Sequence, residues 1–118
     1  MTTTNDSVMT TLRRTGLPPI KFLGELIGCG STKTAQNNGR WTEVEIYRTA
    51  AGRYLWHVGN LTCWEGEHDY YTAGSCANPA EVIAALMGDE HRLGRASQEA
   101  CEDAAETDPA FKFEEVID

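Results

Sequence analysis

The sequence predicts an α+β fold: an antiparallel sheet of about four strands, with one or two C-terminal helices packed on one face. Apolar and polar side chains alternate with a period of two through much of residues 20–73, which is the spacing of strands. After Asn78 the apolar spacing becomes helical. Strands followed by helices are typical of the α+β class, and a length of 118 residues suits one domain.

The N-terminal residues look unlike the rest of the chain. The first 18 residues carry too few apolar side chains to offset the entropy lost on ordering, and Pro18-Pro19 cannot continue a helix. We therefore expect a flexible N-terminal arm over residues 1–18. Residues 19–118 are predicted to form a single α+β domain with an acidic C-terminal helix and tail.

The sheet is predicted from segments that alternate in the way a strand requires. Four segments show this pattern: residues 20–28, 40–49, 53–59 and 70–73. Residues 28–39 are rich in Gly, Asn, Ser and Thr, which predicts a long loop. The second and third segments are predicted to pair as a hairpin. In the second, Val44 and Ile46 face a core, while Glu45 and Tyr47 lie on a largely solvated face.

Helix signals begin at Asn78, which can cap a first helical turn. Pro79 suits the first helical position, and Glu81 complements the helix dipole. An apolar stripe follows, and Gly88 is a suitable end. A second helix is predicted over residues 89–107, where alanines recur at helical spacing. The last ten residues alternate only in part, so we expect either an edge strand or a docking tail.

The compartment is inferred from what the sequence lacks. No stretch of residues is long and apolar enough for a signal peptide or a membrane span. We therefore expect a cytoplasmic protein without a membrane partner. The four cysteines are then expected to be free thiols, because disulfides persist mainly outside the cytosol.

Negative charge is concentrated near the C-terminus. The chain has 10 basic and 18 acidic residues, a net charge of -8, and eight of the acids lie in residues 99–118. One face of the second predicted helix carries four of them: Glu99, Glu102, Asp103 and Glu106. A solvated helix face is the simple interpretation of this stripe. The functional interpretation is a docking surface for a basic partner.

The predicted function is that of a non-enzymatic protein-binding inhibitor or adaptor. Its acidic surface would bind a basic protein surface, in particular a nucleic-acid-binding one, and Trp56 and Trp64 are candidate anchors because Trp is enriched in binding hot spots. Direct binding of nucleic acid is not expected, since phosphates repel a chain this acidic. No catalytic residue, metal site or cofactor is predicted.

In size, in charge and in its lack of a catalytic motif, the chain resembles the small acidic phage proteins that inhibit bacterial defence nucleases, the anti-CRISPR proteins among them. The resemblance is one of type and covers no motif, so no site residue is taken from it. It implies a phage or mobile-element protein whose acidic surface blocks the nucleic-acid-binding surface of a host complex.

The main alternative is a small cysteine-dependent enzyme or metal-binding protein that uses Cys63, His68 and Cys76. A helix beginning just after Cys76 is expected to lower the pKa of its thiol. Against this, the spacing lacks the close cysteine pairs of a structural zinc site. A third interpretation is a subunit that folds stably only within a complex.

Overall fold

The computed structural model describes residues 8–36 and 39–117, and it confirms the predicted α+β class. Its strands are β1 (Val8–Arg14), β2 (Leu17–Ser31), β3 (Arg40–Thr49), β4 (Tyr54–Thr62) and β5 (Tyr70–Cys76). Two helices follow, α1 (Pro79–Met87) and α2 (Arg95–Ala104), with short 3-10 turns at Gly88–Glu90 and Pro109–Phe111. The antiparallel sheet has five strands instead of about four, in the order β1-β2-β3-β4-β5. None of the described helices is long and apolar enough to cross a membrane.

Strand β1 lies within the segment that the sequence predicts to be a flexible arm. The structure differs from that prediction from Val8 onward, whereas residues 1–7 lie outside the described residues. One apolar side chain accounts for the difference: Leu12 is only 2% exposed and packs with Tyr47 and Leu55 in a small second core. Threonines, which favour strands, supply much of the rest of β1.

The β1–β2 hairpin, formed by β1 and residues 17–24 of β2, bends over one face of the sheet. Its tip reaches the far edge of the sheet, where the amide of Thr15 donates a hydrogen bond to the carbonyl oxygen of Tyr71 at 2.9 Å. The sheet therefore curls until its first and last strands meet. Pro18 and Pro19 fit here because β3 pairs only with the later part of β2, so their missing amide hydrogens cost no bond on that side.

The face of the sheet under this hairpin, which we call the hairpin face, is not the solvated surface that the sequence predicts. Tyr47 is only 9% exposed, and the ring of Phe22 meets it edge-on at a centroid distance of 5.2 Å. Glu45 on the same face is partly buried. The prediction is wrong for Tyr47 because nothing in the local pattern of β3 shows that a distant hairpin folds back over it.

The opposite face, which we call the helix face, holds the main core. Val44 and Ile46 are fully buried there, as predicted, together with Val82 of α1 and Phe111. Helix α2 adds a row of small buried side chains: Ala96, Ala100 and Ala104. These short side chains allow α2 to lie close to β2.

Two glycines of β2 make room for α2. A β-carbon on Gly28 would lie 2.4 Å from the carbonyl oxygen of Ala100, and one on Gly30 would lie 2.1 Å from that of Ala96. The loop predicted to begin at residue 28 therefore begins later, because β2 continues to Ser31. Glycine favours a loop when only the local sequence is considered, but here it permits close packing of a helix on a strand.

Helix α1 has the predicted N-terminal cap. The side chain of Asn78 accepts a hydrogen bond from the amide of Glu81 at 2.9 Å, and the Glu81 carboxylate accepts one from the amide of Ala77 at 2.9 Å. Gly88, with a φ of 59°, ends the helix. Helix α2 is shorter than the predicted 89–107 because a separate 3-10 turn follows α1.

The chain beyond α2 docks on the core. Phe111 is fully buried, and its ring meets that of Tyr54 edge-on at a centroid distance of 5.6 Å. The Tyr54 hydroxyl donates a hydrogen bond to the carboxylate of Asp108 at 2.5 Å. Of the last ten residues, for which the sequence predicts an edge strand or a docking tail, Phe111 docks, whereas residues 112–117 are exposed and form no strand.

Candidate functional site

The four acids of the predicted stripe lie along the solvent side of α2 and the turn that follows it. All four are exposed: Glu99, Glu102, Asp103 and Glu106. The buried alanines on the other side of α2 hold the helix against β2. The stripe therefore runs beside β2 and next to its edge.

Two of the four acids bind the backbone of β2. Asp103 Oδ2 accepts a hydrogen bond from the amide of Cys29 at 3.0 Å, and Glu99 Oε1 accepts one from the amide of Ser31 at 2.9 Å. Strand β3 pairs with one side of β2 at these positions. On the other side, within the described residues, β1 pairs with β2 only as far as Gly24, so no strand accepts from these two amides there. The two carboxylates close an edge of β2 that β1 leaves open.

The other two acids, Glu102 and Glu106, have neither a hydrogen bond nor an ion pair to their side chains within the described residues. The four ion pairs found there all lie elsewhere in the fold, and none uses an acid between residues 99 and 117. Charges without a nearby counterion create a local potential that attracts the opposite sign. This end of the molecule therefore presents uncompensated negative charge.

A hollow of about 290 Å³ opens beside the stripe, between the end of β2 and β3. Carboxylates of Glu43, Glu45 and Glu99 line it together with the thiol of Cys29. Burial raises the pKa of the Cys29 thiol, and the negative charge of Asp103 raises it further. The hollow extends the negative surface from α2 onto the hairpin face, which the helix pattern alone does not predict.

Glu45, which also lines the hollow, is bonded to two side chains of the hairpin face. Its Oε1 accepts a hydrogen bond from the Tyr47 hydroxyl at 3.0 Å and lies 3.1 Å from Nδ1 of His57. The contact with His57 lowers the pKa of Glu45 despite partial burial, and that with Tyr47 adds to the lowering. Nε2 of His57 lies 3.0 Å from the carbonyl oxygen of Arg13.

The two predicted tryptophan anchors occupy different surroundings. Trp56 is partly buried on the helix face, where its indole covers Gly74, so it belongs to the core. Trp64 is 52% exposed, and the guanidinium of Arg40 lies over its ring at 4.1 Å. Arg40 also forms a bidentate pair with Glu67. Only Trp64 is therefore placed to contact a partner.

The structure does not bring Cys63, His68 and Cys76 together. Among residues 8–36 and 39–117, no group of three or more His, Cys, Asp or Glu side chains is placed to hold a metal ion. Cys63 and His68 are exposed, and His68 lines an open polar groove of about 550 Å³ with neither cysteine in it. Burial raises the pKa of the Cys76 thiol, so the expected lowering by the helix N-terminus is wrong in direction.

No protein-family model, curated protein or solved structure matches the chain. What the protein does is therefore inferred from its own residues.

Proposed function

We propose that the protein is a non-enzymatic inhibitor or adaptor that docks its acidic α2 surface on a basic surface of a partner protein. One observation carries this proposal: the acids between residues 99 and 117 have no basic side chain paired with them in the described chain. Like charges along one helix face are mildly unfavourable for that helix, and a basic partner relieves the repulsion.

The acids of the stripe contribute to this surface in different ways. The side chains of Glu102 and Glu106 are exposed and form no ion pair within the described residues, so they supply the charges most available to a partner. Glu99 and Asp103 are held by the amides of β2 and add fixed negative charge. Trp64 remains a candidate anchor because it is exposed and the guanidinium of Arg40 lies over its ring.

The partner that fits best is a basic surface that normally binds nucleic acid. Carboxylates spaced along a rigid helix can occupy sites that otherwise bind backbone phosphates. A protein with such a surface prevents the nucleic acid from binding. In its specific form, the proposal is an anti-defence protein of a phage or mobile element, of the anti-CRISPR kind.

A pull-down from host lysate, with this protein carrying an affinity tag, tests the proposed function. Wild type and the Glu102→Lys, Glu106→Lys double variant are compared in the same host lysate, at low and high salt and with competing DNA. We expect wild type to retain a basic nucleic-acid-binding protein that salt and DNA release, because screening weakens charge-driven contacts. The double variant is expected to lose that protein.

A control variant with the same change in charge separates position from net charge. Asp89→Lys with Glu90→Lys alters two exposed acids of the turn after α1, outside α2 and not adjacent in sequence to Trp64, and should leave capture unchanged. Equal capture by both double variants, or a captured protein that neither salt nor DNA releases, contradicts the proposal. Capture of nothing contradicts it as well.

A further inference from the structure

The outer face of the β1–β2 hairpin is apolar and basic, and no other part of residues 8–36 and 39–117 covers it. Four exposed side chains point away from the sheet: Met9, Thr11, Lys21 and Leu23. Met9 and Leu23 are cross-strand partners and are 68% and 44% exposed, and Lys21 lies beside them on the same face. Residues 8–24 contain no Asp or Glu. This face therefore combines an apolar pair with unopposed positive charge.

Residues 112–117 are apolar, acidic and equally uncovered. The chain is fixed at the buried Phe111 and then continues without a helix or strand. Three of its six side chains are large, apolar and exposed: Phe113 at 48%, Val116 at 79% and Ile117 at 77%. Glu114 and Glu115 lie between them and have no ion pair within the described residues.

These two surfaces hold half of the large apolar side chains that the described chain exposes. Of ten such residues, two lie on the outer face of the hairpin, Met9 and Leu23, and three lie in residues 112–117. Contact between the surfaces removes apolar area from water on both sides, which is the main favourable term in association. It also brings Glu114 and Glu115 next to Lys21, so the charges are complementary.

The placement of the two surfaces in the fold favours contact between two molecules. The hairpin covers one face of the sheet, whereas Phe111, from which residues 112–117 extend, docks in the core on the other face. Each chain supplies both surfaces, so two chains can exchange the contact reciprocally and form a closed pair.

We propose that two copies of this chain associate, with residues 112–117 of each docked on the outer face of the β1–β2 hairpin of the other. This contact is separate from the α2 surface of the proposed function. It leaves Glu102 and Glu106 free.

Sedimentation equilibrium across a concentration series, at low and high salt, measures this association. Wild type is expected to dimerise, more weakly at high salt. Lys21→Glu places an acid opposite Glu114 and Glu115, and the Glu114→Lys, Glu115→Lys variant places bases opposite Lys21. Each is expected to weaken the dimer about tenfold, since like charges then face each other.

An equal mixture of these two variants gives the sharpest result. In a mixed pair, the hairpin of Lys21→Glu is acidic and contacts the basic residues 112–117 of the other variant. The second contact of the pair joins a hairpin with Lys21 to a segment with Glu114 and Glu115, as in wild type. The mixture is therefore expected to dimerise as well as wild type. Leu23→Thr is expected to weaken the dimer without changing its dependence on salt, because it removes apolar contact and no charge.

Several outcomes overturn the proposal. One is a wild-type protein that stays monomeric at every concentration. Another is a dimer that the charge reversals do not weaken. The third is an equal mixture of the two variants that dimerises no more tightly than either variant alone. A salt-dependent change in hydrodynamic radius at constant monomer mass assigns the contact to a single chain and overturns it too. Glu102→Lys with Glu106→Lys is the matched control, and its dimer should equal that of wild type even if it loses the captured partner.

Discussion

The Asp103 carboxylate on α2 lies 3.0 Å from the amide nitrogen of Cys29 on β2, so a helix side chain completes the edge of a strand. Glu99 does the same for the amide of Ser31. The spacings match: four residues of helix rise about 6 Å, and two residues of strand span about 6.6 Å. One part of the acidic stripe thus stabilises the fold, and the other part faces solvent.

Loss of the Asp103 carboxylate should destabilise the protein. In Asp103→Ala the Cys29 amide loses its acceptor, so we expect the free energy of unfolding to fall by about 1–2 kcal/mol. Glu102→Ala removes an equal charge without a hydrogen bond and should change it by less than about 0.5 kcal/mol. Urea denaturation of both variants measures the difference. Equal effects would show that the hydrogen bond to β2 contributes nothing to stability.

A methyl group on Gly30 should be poorly tolerated. Its β-carbon would lie 2.1 Å from the carbonyl oxygen of Ala96, so α2 must move away from β2. We expect Gly30→Ala to lower the free energy of unfolding by about 2–3 kcal/mol. Gly94, the N-cap of α2, has open space around it and provides the control; because Gly is preferred to Ala at an N-cap, Gly94→Ala should cost at most about 1 kcal/mol. Thermal or urea unfolding distinguishes the two, and similar losses would contradict close packing at Gly30.

The contact between Glu45 and His57 should make stability depend on acid pH. The pKa of Glu45 is lower in the folded protein than its ordinary value of 4.5, so the unfolded chain binds a proton first as the pH falls. The stabilisation is complete above about pH 4.5 and is lost as the pH falls through the lower folded value. Glu45→Gln should therefore be less stable than wild type at neutral pH, with a difference that shrinks toward pH 3. A difference that stays constant from pH 7 to pH 3 would contradict this account.

The four thiols should react at different rates. Burial raises the pKa of Cys76 and raises that of Cys101 to about 11, so neither forms much thiolate at pH 8. We expect a disulfide reagent to label Cys63 and Cys29 in the folded protein, and the buried pair only after unfolding. Cys29 should react faster in Asp103→Asn, which removes a neighbouring negative charge. Rapid labelling of Cys76 in the folded protein would contradict its burial.

The elements that local pattern determines could be predicted from the sequence. The β3–β4 hairpin depends on alternation, and the cap of α1 depends on Asn78, Pro79 and Glu81; both are present. Strand β1 was missed because Leu12 is its only deeply buried side chain, and its burial depends on Tyr47 and Leu55 far along the chain. The same long-range packing explains why the glycines of β2 were assigned to a loop.

The candidate site could be predicted only in part. Helical spacing places the four acids of the stripe together, because that depends only on α2 and the turn that directly follows it. It does not show which acids bind β2, since that requires knowing where β1 stops pairing. The burial of Trp56 likewise depends on how the helices cover β4, whereas the exposure of Trp64 follows from its loop.

The contact of α2 with β2 also determines when, during synthesis of the chain, the edge of β2 can be closed. The amides of Cys29 and Ser31 precede the carboxylates that bind them by 74 and 68 residues. Translation proceeds at roughly 5–20 residues per second, so the edge of β2 remains an open template for several seconds before α2 emerges from the ribosome. During that interval the nascent chain is most prone to aggregation and most dependent on chaperones.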